Sequence, residues 1–518
     1  MAGKKRPTSR PTIITAPKDR LERTVGGPAR LKVVLLLAAV LSLTTADMST
    51  IGAIAPQLET SLHINNTDIG LLVTVSSGIG VLTTLPFGVA ADRVRRVRLL
   101  LVSIVIWSVM VAACAAAPTY TWLLIFRLLL GAAIAAAGPL VASLTGDLFE
   151  PSERGRIYGY ILGGELVGAG FGLLICGDLS AALSWRAPFA LLAVLGLALA
   201  WAVNAALPEP ARGGASRLPV GATAVRGAKD VTTSETTDDA PSVPSETVLD
   251  KEVRRANVAP HEHLRLHESP DGRSIWWAMR YVLSVRTNVV LVIASSFGYF
   301  FLSGMQTYSI LYARGRFGLN QNEASFLLVV IGLGSLVGLL ITGRLSDTLV
   351  ARHHVAARPT IAAVAFLASV IVFVPALLTR NLLLAVPLIF VAIMGIGGAN
   401  PPLDAARLDI MPSPLWGRAE SIRSVLRKAL EAGAPLLFGW LSTQLGGSGG
   451  GFGHPNAAQP YQAIGLDHTL LVMLIPLGAA GLLILFIARG TYPRDVATAI
   501  ASEDALRTVN RQEQEPRV

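Results

Sequence analysis

Gly88-Val-Ala-Ala-Asp92-Arg93-Val-Arg95-Arg96, a glycine, aspartate and arginine cluster between two long apolar runs, returns in degraded form as Gly343-Arg-Leu-Ser-Asp347-Thr-Leu-Val-Ala-Arg352. The spacing of 255 positions (343 − 88) means that one membrane unit occurs twice in the same direction, the layout of a two-lobed membrane protein built from repeats. A second landmark supports the duplication. Asp147-Leu-Phe-Glu-Pro-Ser-Glu-Arg-Gly155-Arg156 aligns without a gap on Asp409-Ile-Met-Pro-Ser-Pro-Leu-Trp-Gly417-Arg418, an offset of 262 (409 − 147). A loop-length difference absorbs the seven residues between the two offsets.

Composition agrees, because 52% apolar residues, 15% charged residues and a mean hydropathy of +0.54 exclude a soluble domain. Stretches near the ~20 residues that cross a bilayer lie at about 31–56, 68–90, 99–117, 120–146, 156–179, 186–207, 289–312, 322–345, 359–378, 382–407, 419–444 and 468–489. The chain is therefore read as an all-α membrane protein with about twelve spans in two six-helix pseudo-symmetric lobes. Five regions follow: a basic cytoplasmic arm (1–30), a first lobe (31–207), a cytoplasmic linker ending in an interfacial helix (208–287), a second lobe (288–490) and a cytoplasmic tail (491–518). Residues 1–30 are basic and polar without a short apolar core, so no cleavable signal is expected and the first span stays in the mature protein.

Orientation follows from loop arginines and lysines. With a cytoplasmic N-terminus, the inner connections carry Arg93, Arg95, Arg96, Arg98, Arg154, Arg156, Arg344, Arg352, Arg358 and Arg418, and the outer ones only Arg186, Arg314, Arg316 and Arg380. Both termini are then cytoplasmic, in a cell (inner) membrane, and the net charge of +10 needs no nucleic-acid partner. The 208–271 stretch, rich in Gly, Pro, Ser, Thr and mixed charge, reads as a flexible tether. Its His261, His263 and His267 carry no cysteine or organised fold with them, so no metal site is assigned. Residues 275–286 read as the interfacial helix. Gly446–Gly453 lacks the Lys-Ser/Thr of a phosphate-binding loop and is a plain outer connection. Cys114 and Cys176 are small core residues inside apolar spans.

The Gly88-x-x-x-Asp92-Arg93-x-x-Arg96 motif resembles the signature loop of the major facilitator superfamily, and the resemblance covers residues 31–490. Arg127-Leu-Leu-Leu-Gly131-Ala-Ala resembles that family's Arg-x-x-x-Gly-x-Gly pattern with alanine for the last glycine, and Trp185-Arg186 opens span 6 as in the family. Within it the chain is most similar to the spinster-like branch, next to drug:proton antiporters, through Asp47 in Thr44-Thr-Ala-Asp47-Met48, the Gly-Asp-Leu-Phe ending of span 4, and Asn400-Pro-Pro-Leu-Asp-Ala-Ala-Arg407. It departs where Met48 replaces an arginine and Ile134 an acid. The resemblance implies alternating access and efflux of an amphipathic lipid-like or drug-like substrate, of the lysophospholipid or sphingoid class, by proton antiport with no other cofactor. The chain is expected to work as a monomer, with membrane lipids as its other partners. The resemblance further implies that Asp92 meets the start of span 11 and Arg96 reaches Asp147. Gly88, Asp92, Arg93, Arg96, Asp147, Gly343, Asp347, Asp409 and Arg418 are then cytoplasmic gate residues.

Charges inside the spans are the strongest pointers, since each costs at least ~2.5–3.5 kcal/mol in hydrocarbon. Asp47 lies sixteen residues, about 24 Å, from the inner end of span 1, and Arg127 about 10 Å below the outer end of span 4. In a ~30 Å core the depths coincide, and because spans 1 and 4 line the central cavity in the fold that the resemblance implies, an Asp47–Arg127 pair coupled to transport is predicted. A purely structural pair is the plainer alternative. Glu165, near the middle of span 5, is the substitute proton site. Gly164, Gly168 and Gly172 beside it are read as a close-packing stripe. Glu420, Arg423, Arg427 and Glu431 share one face of span 11, with Arg427 and Glu431 deep enough to meet substrate, and Asp404 and Arg407 can pair. Tyr299, Gln306, Tyr308 and Asn400 complete a predicted cavity for an amphipath. Uptake of a small organic acid or sugar by symport, and a non-transporting receptor of the same fold, are the other readings. The spans show no nucleophile–base set and no metal cluster, so no enzyme is expected.

Overall fold

A computed structural model describes residues 25–149, 154–207, 248–268, 273–446 and 458–514, with Glu22, Glu209, Pro210, Leu218 and Pro270. The side chains at 84–93, 154–156, 248–250, 458–464 and 509–514 lie outside that description. Among the described residues every regular element is helical. The first half contains α1 (Pro28–Leu62), α2 (Asn66–Arg93), α3 (Arg96–Ala116), α4 (Tyr120–Ile134), α5 (Ala137–Leu148), α6 (Arg154–Phe171), α7 (Gly177–Ala182) and α8 (Arg186–Ala206). Two short linker helices, α9 (Val248–Arg255) and α10 (Ile275–Ser284), lead to α11 (Arg286–Phe317), α12 (Gln321–Ala351), α13 (Ala357–Leu378), α14 (Leu382–Asp409), α15 (Trp416–Leu445), α16 (Ala458–Leu483) and α17 (Arg489–Gln514). α4 and α5 form one crossing, as do α6 and α7 through a π-helical turn at Gly172–Cys176, and α16 and α17 through another at Ile484–Ala488. Twelve long helical rods result among the described residues, as many as the apolar stretches predict. Ten are apolar enough along their described residues to span a bilayer by composition. α15 is not among them, because it carries the charged face described below.

Local chemistry sets the helix starts. Asn320 and Glu323 form a reciprocal capping box at α12, Asn381 caps α14, and Asn65 exchanges bonds with Asp68 at α2. Within the first half α1 packs on α6, α2 on α4 and α3 on α8, and within the second α12 and α13 pack on α14 while α11 and α13 pack on α16. The halves meet chiefly through α2 against α15 and α1 against α11. The glycine stripe has the packing role read from sequence: a methyl group at Gly164, Gly168 or Gly172 would collide with the carbonyl oxygens of Ala38, Ser42 and Ala46 on α1. Cys114 and Cys176 are buried.

The described residues of the linker differ from the tether that its composition predicts. Leu218 donates its N–H to Leu148 O at 2.8 Å and accepts from Arg30 Nη1 at 3.1 Å, while Glu209 accepts from the backbone N–H groups of Arg96 and Val97 at the start of α3. Residues 251–266 lie along α17: Arg254 pairs with Asp504 at 2.6 Å, His261 N–H donates to Thr498 Oγ1 and Leu266 N–H to Ser502 Oγ. A few apolar anchors, Val253 and Leu266, are buried there, too few to register in a composition dominated by polar residues. Residues 219–247 lie outside the described residues. Arg30, read as part of the basic arm, belongs instead to the first turn of α1, buried with its guanidinium 5.4 Å from the Phe149 ring.

Candidate functional site

α1 and α4 bring Asp47 and Arg127 together in the interior of the first half. Arg127 Nη1 donates to both carboxylate oxygens of Asp47 at 2.9 Å, and the two side chains are 0% and 1% exposed. The main chain of Arg127 is held in turn, its carbonyl accepting from Ser76 Oγ of α2 at 3.0 Å. Isolated buried charges are costly, so the pair persists because each neutralises the other in a medium without water.

Glu165 does not join them. It is half-buried on α6, and the charges within electrostatic reach of its carboxylate are Lys428, Arg427 and Glu431 of α15, in the other half. The proton-coupling residues predicted as one group thus fall into two places: a closed pair inside one half, and an acid facing the other half. Depth along a helix gave no information about which neighbouring helix each acid would meet. Lys428 escaped the sequence reading, although its spacing of three residues from Glu431 places it on the same face.

On α15 the Arg427 guanidinium stacks 4.1 Å from the Tyr299 ring of α11. Glu420 and Arg423 pair through two contacts, one of them 2.8 Å from Arg423 Nε, and Arg407 pairs with Asp404 on α14. Asn288, Asp404, Arg407, Trp416, Glu420 and Arg423 line a cavity of about 290 Å³ on the face that carries the termini. Arg407 is buried there, with Nε and Nη1 lacking protein partners. Glu431 is half-buried beside Arg427 and Lys428, and Asn400 is half-buried in α14.

The other predicted cavity residues have different surroundings. Tyr308 is 1% exposed, and its hydroxyl donates to Asn66 O at 2.7 Å and is within 2.9 Å of Pro435 O. It is a strut between the halves rather than an open cavity wall. Gln306 Nε2 donates to Ser49 Oγ across the same boundary at 2.9 Å. Further bonds cluster in this half of the bundle, away from the termini: Asn66 Nδ2 to Ser442 Oγ, Thr67 Oγ1 with Thr443 Oγ1, and Gln321 Nε2 to Ala53 O. Arg314 lies within electrostatic reach of Glu59 here, a cross-boundary charge pair that the sequence reading did not single out. Phe301 packs edge-on against Phe373 and Phe438, and so belongs to the core.

On the face carrying the termini, Arg96 is ion-paired with Asp147, and Arg358 with Asp409. Both residues of the second pair are offset by 262 positions from those of the first (358 − 96 and 409 − 147), so the duplication extends to a specific ion pair. Tyr492 also donates to Asp409, and Arg358 Nη2 reaches Asp347 at 3.5 Å. Gly343 sits on α12 facing Pro401, and Arg418 donates to Pro270 O at 2.9 Å. Gly88, Asp92 and Arg93 occupy the last turns of α2, and their side chains lie outside the described residues.

With this geometry in place, similarity to known proteins is informative. A Bacillus subtilis protein named hexuronate transporter is 30% identical over 175 residues, 34% of this chain and 41% of its own length. Protein spinster homolog 1 of Xenopus laevis is 27% identical over 188 residues, 36% of each chain. The chain therefore matches less than half the length of these curated relatives. A crystal structure of a bacterial homolog to the human lysosomal transporter Spinster, in an inward-facing and unoccupied conformation, superposes with a TM-score of 0.70 over 90% of this chain and 98% of that one, at 19% identity. It shares the fold. Residues 36–429 match the sequence profile of the Major Facilitator Superfamily, a family of membrane transporters rather than enzymes, and the chain belongs to that family.

Proposed function

We propose that the protein is a secondary active transporter that exports an amphipathic, lipid-like or drug-like molecule in exchange for protons, by alternating access between its two halves. One observation carries this reading: Glu165 of one half lies within electrostatic reach of Lys428, Arg427 and Glu431 of the other. An acid whose charge partners lie across the boundary gains or loses those partners as the halves rock, so its protonation and the conformation depend on each other. The buried Asp47–Arg127 pair is the second coupling element. The polar cavity beside Arg407 and the Arg427–Tyr299 stack offer a charged and aromatic environment to the polar end of an amphipath. The bonds around Tyr308, Asn66 and Ser442 act as the seal opposite that cavity. Lysophospholipid and sphingoid compounds are the favoured class, as the resemblance of Asp47, the Gly-Asp-Leu-Phe ending of span 4 and Asn400–Arg407 to the spinster-like branch implies. The basic loops favour an inner-membrane protein with both termini cytoplasmic, working as a monomer.

A second reading has its own support. Arg423, Arg427 and Lys428 form a cationic row on α15, and the hexuronate transporter is a relative, which favours symport of a sugar acid.

The test is substrate-driven proton movement in proteoliposomes with an internal pH dye, over a panel of lysolipids, cationic amphipaths, sugar acids and organic acids. Glu165→Gln and the paired Asp47→Asn/Arg127→Gln variant run in parallel. A pH change with an amphipath that vanishes in Glu165→Gln supports antiport, and one with a sugar acid supports the second reading. Binding with no proton movement across the panel overturns coupling.

A further inference from the structure

The histidine-bearing segment of the linker, to which the transport reading gives no role, forms one wall of a cavity of about 320 Å³ on the face carrying the termini. The other walls come from the start of α11 and the start of α17. Arg286 and Arg494 line it, with His261, His263, Thr491 and Asp495. Both arginines are exposed, and neither guanidinium makes a hydrogen bond or ion pair among the described residues. The single acid is already engaged: Asp495 is buried, one carboxylate oxygen accepting from Thr287 N–H at 3.2 Å and the other 3.7 Å from His261 Nε2. Two unpaired guanidinium groups against one occupied carboxylate leave the cavity short of negative charge and rich in donors.

Its depth places it at the bilayer edge. Along the helix that continues from α16 into α17, Phe486 is 76% exposed, the last large apolar side chain with such exposure before Arg489 and Arg494. Arg494 stands five residues beyond Arg489, about 7.5 Å along the axis. That is roughly the thickness of one headgroup layer, given a ~30 Å hydrocarbon core within ~40–45 Å overall. α10 runs beside it with Trp276 (73%) and Leu283 (41%) exposed next to Arg280 and Arg286, the mixed aromatic, apolar and basic surface of an element lying at a membrane interface.

We infer that this cavity binds the phosphate of an anionic phospholipid headgroup from the adjoining leaflet, through Arg286 and Arg494. Guanidinium groups bind phosphate oxygens in a bidentate manner with short, charge-assisted bonds. His263 and Thr491 supply further donors, and the acyl chains run along the exposed Phe486 and Leu283. The bound lipid fastens residues 261–264 of the linker to both α11 and α17. A lipid is the occupant, rather than free phosphate, because the cavity opens at headgroup depth beside apolar surface that a free ion would leave bare.

The experiment is native mass spectrometry of the full chain released from nanodiscs containing phosphatidylcholine with or without phosphatidylglycerol. Wild type should retain one phosphatidylglycerol at least about tenfold over phosphatidylcholine, and R286Q/R494Q should lose that preference by about tenfold. R489Q, outside the cavity, serves as the matched control and should behave as wild type. Amide exchange supplies a second readout: residues 261–268 should become more protected with phosphatidylglycerol in wild type and not in R286Q/R494Q. Because neither guanidinium has a partner among the described residues, the double variant should melt at the wild-type temperature. Equal retention by R286Q/R494Q and R489Q, equal retention of the two lipids, or displacement of phosphatidylglycerol by millimolar inorganic phosphate with the same protection of 261–268 would each overturn the lipid site.

Discussion

The two halves share a plan and treat their interior charges in opposite ways. In the first, Asp47 and Arg127 close on each other, with almost no exposure. In the second, Asp404, Arg407, Glu420, Arg423, Arg427, Lys428 and Glu431 are strung along α14 and α15 beside a polar cavity, several of them only half-buried. At the face carrying the termini, by contrast, the halves agree: Arg96–Asp147 and Arg358–Asp409 occupy equivalent positions. Duplication has preserved the ion pair that fixes the ends of helices and allowed the middle to diverge. A closed pair holds its own half together and offers nothing to a ligand until it separates, whereas a row of charges with unsatisfied donors can accept one.

The sharpest way to break this comparison is to open the closed pair. Arg127→Met strands the Asp47 carboxylate and should lower stability by about 3–5 kcal/mol, read as a fall in melting temperature in detergent, with Asp47→Asn/Arg127→Gln recovering most of the loss. Arg427→Met on the half-buried row should cost far less. Equal losses would erase the distinction between the halves. Next in size is the contact of α1 with α6: Gly168→Val meets the Ser42 backbone and should cost about 1–3 kcal/mol, whereas Gly163→Val, which meets open space, should be near neutral. Such a split would place the packing surface on the Gly164, Gly168, Gly172 stripe alone.

The equivalence of the ends can be tested directly. Arg96→Gln and Arg358→Gln should each destabilise by about 1–2 kcal/mol in the same direction, and a marked difference between them would mean that the repeated pair is no longer doing the same job in both halves. The smallest effect belongs to the seal. Tyr308→Phe removes the hydroxyl between Asn66 O and Pro435 O, a change of about 1 kcal/mol, and should raise the population opened on that side about fivefold, measured as lengthened spin-label distances between the far ends of α1 and α11.

Much of the architecture was legible in the chain. Bilayer thickness fixes the length of an apolar run, so twelve crossings could be counted, and a gapless offset exposed the duplication. Depth, together with the placing of spans 1 and 4 around one cavity that the family resemblance implies, matched Asp47 with Arg127, because a buried charge must find its counter-charge at the same level. The glycine stripe announced a close helix contact without naming the partner helix. Tyr308 was expected to line the substrate cavity, and here its hydroxyl also bonds the Asn66 and Pro435 carbonyls; a hydroxyl among aromatics reads equally as ligand or strut until the opposing carbonyls are known. Residues 251–266 of the linker pack along α17 where a free tether was expected, because a segment held by a few anchors on a charged helix has the same composition as a free one. The electrostatic reach of Arg314 to Glu59 and of Lys428 to Glu165 could not be read, since each links residues more than two hundred positions apart on helices of different halves.

By itself, then, the sequence determined which segments cross the membrane, that they form two copies of one unit, and which charges had to be neutralised inside, because each of these follows from the cost of placing polar groups in hydrocarbon. Only the tertiary structure decided which charges come within reach of one another across the two halves and which arginines lack a partner among the described residues, because those depend on the rotation and docking of whole helices, which no local pattern encodes.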